Sequence, residues 1–262
     1  MIRAQGLGAV LAGIDVLRAV DFHANPGQIT VIVGPNGSGK TTLLRRLTGD
    51  LQGPGRVLLD DAPIGAMPPR RLALRRAVLQ QATQVGFPFT LREVVRMGQE
   101  AGGQAPGIVA AAIAEVGLSA MIDRPFQDLS GGEQARGHLA RVRAQIWNPV
   151  TSGGACWLFV DEPVAALDIG HQIQVMDLLR RFADAGGGVV AVMHDLNLTA
   201  MHADRMVLMA QGAVLATGTP AQVMTDGHLS AAYRAPIRIN RAPDTGVWLL
   251  PQMAGDPIKG QN

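Results

Sequence analysis

The sequence predicts an α/β fold in which a parallel sheet carries its functional residues at the carboxyl ends of its strands. Three short apolar runs, residues 29–33, 156–160 and 188–193, are too short for buried helices and fit inner strands of such a sheet. The runs are followed by a glycine-rich loop, by two carboxylates and by a histidine, in that order. In open α/β sheets ligands bind at this edge, so we expect the functional site there.

The remaining segments are placed around these strands. Residues 1–22 alternate loosely and predict one or two strands before the turn at 25–27. Residues 56–60 and 77–80 predict short strands, with a basic helix at 68–76 between them. Residues 90–99 and 107–116 predict helices with no strand signal between them. The predicted helical insert, roughly residues 89–147, interrupts the alternating pattern and indicates a subdomain.

The loop after the first strand has the composition of a phosphate-binding loop. Its glycines allow positive φ, so that backbone N–H groups turn inward, and the following helix adds its positive N-terminal dipole. Lys40 would reach the β- and γ-phosphates and Thr41 would ligate Mg²⁺. An ordinary glycine-rich connection is the alternative, but it does not explain a Lys-Thr pair opening the helix. The loop residues are Gly34, Pro35, Asn36, Gly37, Ser38, Gly39, Lys40, Thr41 and Thr42.

Composition bounds the class of protein. A chain of 262 residues can bury one large α/β core, or a core with a smaller appended subdomain. The formal net charge is +2 and the arginines occur as scattered pairs, so the sequence gives no signal of a nucleic-acid face. The single cysteine, Cys156, excludes a disulfide framework and suits a reducing compartment. We expect neither a secretory leader nor a membrane-spanning segment.

A second glycine-containing segment opens the last helix of the insert. Ser130 is the expected N-cap, with Glu133 three residues later, and Gly131 and Gly132 leave this helix end open to a phosphate. Taken alone this pattern indicates only a helix cap. Together with the phosphate loop it indicates a second phosphate-contacting element.

The two acids after the second strand have distinct expected roles. Asp161 would hold Mg²⁺ through a water, and Glu162 would act as the base for a water attacking the γ-phosphate. In isolation, two acids at a strand end are usually solvated turn residues. Residues 164–168 are expected to begin a long helix that runs to about 185. His194 ends the third strand, where it is either a structural residue or a contact of the γ-phosphate.

Gln81 stands at a strand end and begins a loop to residue 89 that contains two phenylalanines, Phe87 and Phe89, around a proline. Aromatic side chains in a loop usually pack on the nearest core, and otherwise form a docking patch for a partner. Both interpretations stay open at this stage.

In this order and spacing, these motifs resemble the ATP-binding-cassette (ABC) ATPases, from residue 1 to about 251. Within that family the sequence is most similar to subunits that energise import of haem, ferric siderophores or cobalamin, and the connection at 147–156 and the ending at 237–251 resemble the haem importers. The resemblance implies a P-loop NTPase (RecA-like) core with an antiparallel β subdomain and a helical signature subdomain. It implies a single ATP-binding domain over residues 1–251, with a C-terminal tail at 252–262.

The resemblance also implies roles for individual residues. Residues 34–42 would be the Walker A loop, and Gln81 would contact Mg²⁺ and the attacking water. Ser130, Gly131 and Gly132 would be the signature that closes on ATP held by the opposite subunit. Asp161 would be the Walker B aspartate and Glu162 the catalytic glutamate. Asp168 would belong to the D-loop and His194 would be the switch histidine.

The implied assembly is a homodimer with two shared MgATP sites, bound to two copies of a permease and served by a periplasmic haem-binding protein. It would lie on the cytoplasmic side of the inner membrane, without nucleic acid. Leu11 stands where the family usually has an aromatic under adenine, and Val164-Ala165 replaces Thr-Ser in the D-loop. The alternatives are a siderophore or cobalamin importer, a soluble nucleic-acid-linked ABC ATPase, and a nucleotide-gated module without turnover.

Overall fold

The computed structural model describes residues 1–81, 86–242 and 245–247. Its strands are β1 (Ile2–Leu11), β2 (Ile14–Ala24), β3 (Ile29–Val33), β4 (Arg56–Leu59), β5 (Ala62–Pro63), β6 (Arg76–Leu79), β7 (Val150–Thr151), β8 (Gly154–Ala155), β9 (Trp157–Asp161), β10 (Gly188–Val192), β11 (Arg205–Ala210) and β12 (Ala213–Gly218). Its helices are α1 (Lys40–Thr48), α2 (Pro69–Ala73), α3 (Leu91–Ala101), α4 (Ile108–Glu115), α5 (Gly131–Gln145), α6 (Ile169–Asp184), α7 (Leu196–His202), α8 (Pro220–Val223) and α9 (Asp226–Tyr233).

A six-stranded sheet in the order β12-β11-β3-β10-β9-β6 carries the candidate site. Every neighbouring pair in it is parallel except β11 with β12. The strands β3, β9 and β10 are buried along their whole length, as expected for apolar β-branched runs covered on both faces. Val192 of β10 pairs with Ile32 on one side and with Asp161 on the other. This register brings the ends of β3 and β9 to the same edge, as predicted.

The first two strands form a hairpin within a second, antiparallel sheet of order β2-β1-β4-β5. Helix α1 lies between the two sheets. Its apolar face, with Leu43 and Leu47, shares one buried cluster with Leu7 of the antiparallel sheet and Phe159 of the parallel sheet. Burial of a leucine side chain contributes about 1.5–3 kcal/mol, so contacts on both sides fix the helix that follows the phosphate loop.

The helical segment is built from α3, α4 and α5, and its core is continuous with that of the parallel sheet. Leu91, Ile113 and Leu139 belong to the same buried cluster as Leu158 of β9. Thr90 caps α3 with a capping box completed by Glu93. Helices α3 and α5 approach closely at Gly98, where an added Cβ would lie 1.9 Å from the Arg141 carbonyl oxygen.

Replacing Gly98 with alanine should therefore lower the melting temperature. The new methyl group has to push α3 away from α5, and overpacking of this kind typically costs about 1–3 kcal/mol, or roughly 2–12 °C for a chain of this size. Gly107→Ala is the matched control, because an added Cβ there meets no atom within 4 Å. Thermal unfolding followed by circular dichroism measures both; equal melting temperatures for the two variants would refute the close contact.

Several predicted boundaries are wrong. The helix expected from residues 164–168 begins at Ile169, because residues 164–167 form turns and Asp168 is its N-cap. The connection at 147–156, for which the sequence predicts no strand before residue 156, contains the β7–β8 hairpin, and Arg75 donates a hydrogen bond to the Ala155 carbonyl. The helix expected at 68–76 is limited to α2, since Arg76 already belongs to β6. The proposed tail at 252–262 lies outside the described residues.

Candidate functional site

The loop between β3 and α1 has a backbone that only glycine accommodates at its two ends. Gly34 has φ +148°, and a Cβ there would lie 2.1 Å from the Met209 carbonyl oxygen. Gly39 has φ +99°, and a Cβ there would lie 2.9 Å from the Val16 carbonyl oxygen. The loop thus packs closely against β11 and β2. Gly34 and Gly39 adopt positive φ at little energetic cost, because glycine has no Cβ.

Lys40 folds back over this loop. Its Nζ donates hydrogen bonds to the Gly34 carbonyl at 2.9 Å and to the Pro35 carbonyl at 3.1 Å. Burial lowers the pKa of Lys40, while the charges of Glu162 and Asp161 act in the opposite direction. Within the described residues, both hydrogen-bond partners of this buried ammonium are neutral carbonyls, so it is a ready partner for an anion, and polyphosphate is the anion that such a loop and helix N-terminus bind.

Thr41 and Asp161 meet where the sequence predicts a metal. The Thr41 hydroxyl donates to Oδ1 of Asp161 at 3.3 Å. Asp161 is only 4% exposed, and burial raises its pKa, with the neighbouring Glu162 adding to the shift. A buried carboxylate beside a hydroxyl is the oxygen donor set that Mg²⁺ takes together with phosphate oxygens, so these residues fit that ion.

Glu162 lies at the centre of a three-residue cluster at the strand ends. The Gln81 side-chain amide donates to Oε2 of Glu162 at 2.7 Å, and Nε2 of His194 contacts Oε1. The Glu162 backbone has φ +52°, an uncommon conformation for a residue with a side chain, and its N–H donates to the Val192 carbonyl at 3.0 Å. The structure thus brings together Gln81, Glu162 and His194, the side chains expected to contact the attacking water or the γ-phosphate at the strand ends.

These residues surround one cavity of about 710 Å³. That volume falls in the range that holds nucleotide-sized ligands. Its lining residues are Val16, Asn36, Gly37, Gly39, Lys40, Thr41, Thr42, Gln81, Glu162 and His194.

Val16 is the lining residue that sequence reasoning missed. It lies on β2, far from the motifs along the chain, and its carbonyl oxygen lies against Gly39 of the loop and Gly212 between β11 and β12. Leu11, the position expected to contact adenine, is 37% exposed and does not line this cavity. Residue spacing alone carries no signal for the role of Val16.

The signature residues form the predicted helix N-terminus, but they do not line the phosphate-loop cavity. Ser130 caps α5 and forms a capping box with Glu133. Gly131 lines a neighbouring cavity of about 220 Å³ together with Gln81 and Glu162. An added Cβ at Gly132 would lie 3.3 Å from the Ala166 carbonyl oxygen, so the signature sits beside the segment that leads to α6.

Asp168 is also remote from this cavity. It accepts a hydrogen bond from the His171 N–H at 2.9 Å and pairs with the His171 ring at 2.8 Å. This contact is the N-cap of α6 and lowers the pKa of Asp168, chiefly through the backbone hydrogen bond.

The two aromatic side chains of the loop that begins at Gln81 behave differently. Phe89 packs against the main core, whereas Phe87 is 70% exposed. The core-packing interpretation therefore holds for Phe89, whereas docking of a partner at Phe87 stays a prediction. Residues 82–85 of that loop lie outside the described residues.

Among the residues that are described, no helix has the length and apolar character needed to cross a bilayer.

Comparisons with known proteins place these features in a family context. The model of the ABC transporter family matches residues 17–165. The chain is 51% identical over 257 residues to the hemin import ATP-binding protein HmuV of Jannaschia sp. (strain CCS1), covering 97% of this chain and 95% of that protein. It is likewise 51% identical over 254 residues to the HmuV of Roseobacter denitrificans (strain ATCC 33942 / OCh 114), covering 96% and 97%.

Solved structures show the same fold at lower identity. An ATP-binding subunit of an ABC transporter superposes with a TM-score of 0.76 at 19% identity, over 89% of this chain and 96% of that one. The dimeric ATP-binding cassette MJ0796, bound to ADP and Pi, superposes with a TM-score of 0.73 at 22% identity, over 84% and 99%.

Proposed function

The chain belongs to the ABC transporter family, whose ATP-binding members are transport ATPases, and on that premise we propose that it energises haem import through a partner permease. The observation that supports haem as the cargo is the 51% identity, over almost the whole chain, to proteins named for hemin import. The observation that supports the chemistry is the cluster of Gln81, Glu162 and His194, which lines the phosphate-loop cavity.

We propose that residues 1–251 form a single ATP-binding domain with residues 89–147 inserted as a helical subdomain. The loop at 34–42 would hold the phosphates through its amides and Lys40. For this, Lys40 has to exchange its two carbonyl partners for phosphate oxygens. That exchange is favourable because the ammonium then faces full negative charges in place of carbonyl dipoles.

Mg²⁺ would be held by Thr41, by Asp161 and by Gln81, with Asp161 acting through a water. When bound, this ion neutralises charge on the β- and γ-phosphates. The Thr41–Asp161 hydrogen bond supports the assignment, because it already brings two oxygen donors together. The raised pKa of Asp161 supports it too, since a carboxylate penalised by burial is stabilised by an adjacent cation.

Glu162 would take a proton from the water that attacks the γ-phosphorus, while the bond to the β–γ bridging oxygen breaks and ADP leaves. Both carboxylate oxygens of Glu162 are occupied by Gln81 and His194. Each oxygen keeps a second lone pair for the water, and we propose that the γ-phosphate draws His194 towards itself and so clears the approach of the water. Glu162 is then free to act as a general base, and Gln81 orients the water.

The working unit would be a homodimer in which Ser130, Gly131 and Gly132 of one copy close on the nucleotide of the other. Two observations support this: these residues form an open helix N-terminus suited to phosphate, and they do not line the cavity of their own chain. Asp168 and its neighbours would meet the twin, although Val164 and Ala165 offer no hydroxyl for bonds across the dimer.

Two such copies would bind two copies of the permease, with the exposed Phe87 as part of the docking surface. A periplasmic haem-binding protein would deliver cargo from the opposite face. The subunit would thus be peripheral, on the cytoplasmic side of the inner membrane, and we expect it to act without nucleic acid.

Reconstitution with the permease tests the proposal. The complex in lipid vesicles, with its binding protein, should hydrolyse ATP faster when haem is supplied, whereas a ferric siderophore or cobalamin should leave the rate unchanged. Stimulation by either of the other cargoes instead of haem would overturn the cargo assignment. Stimulation by DNA or RNA, with none by the permease, would overturn the transport role. If phosphate release is no faster than from the vesicles alone, the transport ATPase proposal fails and the chain is instead a nucleotide-gated module without turnover.

A further inference from the structure

A groove of about 370 Å³ lies where the antiparallel sheet meets the edge of the parallel sheet. Its lining comes from β1 and β2 on one side and from β11 and β12 on the other. Among the described residues, none lines both this groove and the phosphate-loop cavity. The groove is large enough for a small ligand, so it is a separate candidate site.

Arg3 and His23 form one wall of the groove. They are directly opposite partners on β1 and β2, so their side chains are neighbours. His23 is exposed, and its ring has no hydrogen-bond partner among the described residues. Within the same part of the chain, the Arg3 guanidinium pairs with Asp61 alone, at 3.5 Å. A pair with so exposed an acid contributes little, so both side chains keep donors available to a ligand.

Arg205 approaches the groove from the opposite wall. It is two residues from Val207 on β11, so both side chains lie on the same face of the sheet, and Val207 lines the groove. Nη2 of Arg205 donates to the hydroxyl of Thr217, another lining residue, at 3.4 Å. Nε of Arg205 is buried and has no hydrogen-bond partner among the described residues. An oxyanion in the groove would provide the acceptors that this cation lacks.

The groove also contains one acid and an apolar floor. Asp21 is the only acid among the described lining residues, and its Oδ1 already accepts from the Gly6 N–H at 2.7 Å. At the groove itself, the guanidinium groups of the two walls therefore outnumber the carboxylate. Val207 and Val214 belong to the apolar cluster between the two sheets and form the floor. A ligand that suits this groove combines negative charge with an apolar part.

The positive charge of the groove acts on His23. Burial lowers the pKa of His23, and the charges of Arg205 and Arg3 lower it further. The charged groups that face the ring are these two arginines and Asp21, which is two residues away on the same face of β2. His23 is therefore neutral near pH 7, and an anion bound beside it would raise its pKa by offsetting the arginines.

We propose that this groove binds a small organic phosphate, in the form of a phosphate monoester. Its oxygens accept hydrogen bonds from Arg3, Arg205 and Thr217. Its organic part lies on Val207 and Val214. Donors that come from three different strands suit a tetrahedral group with three terminal oxygens better than a planar carboxylate. The site goes beyond the proposed ATPase function, because it is separate from the phosphate loop.

NMR of the His23 ring in the full chain tests the proposal, because this signal reports on the groove and not on the phosphate loop. The chain has six histidines, and His23→Gln assigns the signal. Phenyl phosphate should shift the signal saturably, with a Kd in the millimolar range or below, and should raise the pKa of His23. Inorganic phosphate lacks the apolar part and should bind about 3- to 10-fold more weakly.

Arg205→Gln removes one charge and keeps a donor for Thr217, so it should weaken phenyl phosphate binding about tenfold. Arg70→Gln is the matched control, since it removes an exposed arginine of α2 that does not line the groove. Its Kd should equal that of the unmodified chain, and melting temperatures should show that all variants are folded. Arg3→Gln repeats the test if Arg205→Gln does not fold.

Two results would overturn the inference: a His23 signal that neither phosphate shifts, or equal Kd values for the folded groove variant and the Arg70→Gln control. The second result would mean that the phosphate associates with the surface in general. None of these measurements needs ATP. Failure of this inference therefore leaves the proposed function standing, and failure of the proposed function leaves this groove unaffected.

Discussion

Replacing Glu162 with glutamine should reduce ATP hydrolysis by about 10²–10⁴-fold while leaving nucleotide binding intact, because loss of a general base costs on that order. Glutamine has nearly the same size, and its oxygen can still accept from the Gln81 amide that donates at 2.7 Å in this structure. It cannot take a proton from water. Nucleotide is thus bound and not consumed, and the closed dimer should accumulate.

Phosphate release and sedimentation velocity, each with MgATP, measure the two halves of this prediction. Glu100→Gln is a matched control, since Glu100 is an exposed residue at the end of α3. It should hydrolyse ATP normally and show no stable dimer. Wild-type turnover in Glu162→Gln would remove Glu162 from the role of base and leave the cluster with Gln81 and His194 as a structural contact.

Replacing Lys40 with alanine should weaken ATP binding about 10- to 100-fold, the range for removing a hydrogen bond to a charged group. Turnover should fall further, because the same ammonium stabilises charge that develops in the transition state, and a single such donor is worth about 10²–10³ in rate. The fold should tolerate the change. Lys40 is buried with a lowered pKa, so its removal relieves a desolvation cost even as it leaves two carbonyls without this donor.

Isothermal titration with ATP and a phosphate-release assay measure these effects. Arg18→Ala removes an equal charge from an exposed position on β2, and it should bind and hydrolyse ATP like the unmodified chain. If both variants lost affinity to the same small extent, net charge and not the contact at the loop would be responsible. The specific role of Lys40 would then be contradicted.

The parts of the fold that follow local rules could be predicted from the sequence. The strands β3, β9 and β10 are continuous apolar runs, and the residues that follow them reach one edge because parallel strands align there. The prediction of an α/β sheet carrying a phosphate-loop segment is confirmed by the structure and by the family. The side chains of Gln81, Glu162 and His194 then come together as a direct consequence of strand order.

Features set by distant pairing could not be predicted. Val16 lies beside the loop because β2 packs against the β11–β12 turn, where the Arg18 N–H donates to the Gly212 carbonyl at 2.9 Å. It stands in no pattern whose spacing points to the loop. The predicted start of α6 is too early for a local reason: Asp168 caps the helix by accepting from the His171 N–H, which fixes its first residue at Ile169, and the residues before it form turns.

A mixture of two inactive variants tests most directly the central claim that each ATP site is shared between two copies. Lys40→Ala spoils the phosphate loop and Ser130→Arg blocks the signature, so either homodimer has no intact site. Mixed dimers keep one site, made from the intact loop of one copy and the intact signature of the other. An equal mixture should recover about a quarter of normal ATPase activity, since half the dimers are mixed and each has one working site. A mixture as inactive as its components, or a Ser130→Arg protein fully active alone, would contradict the account.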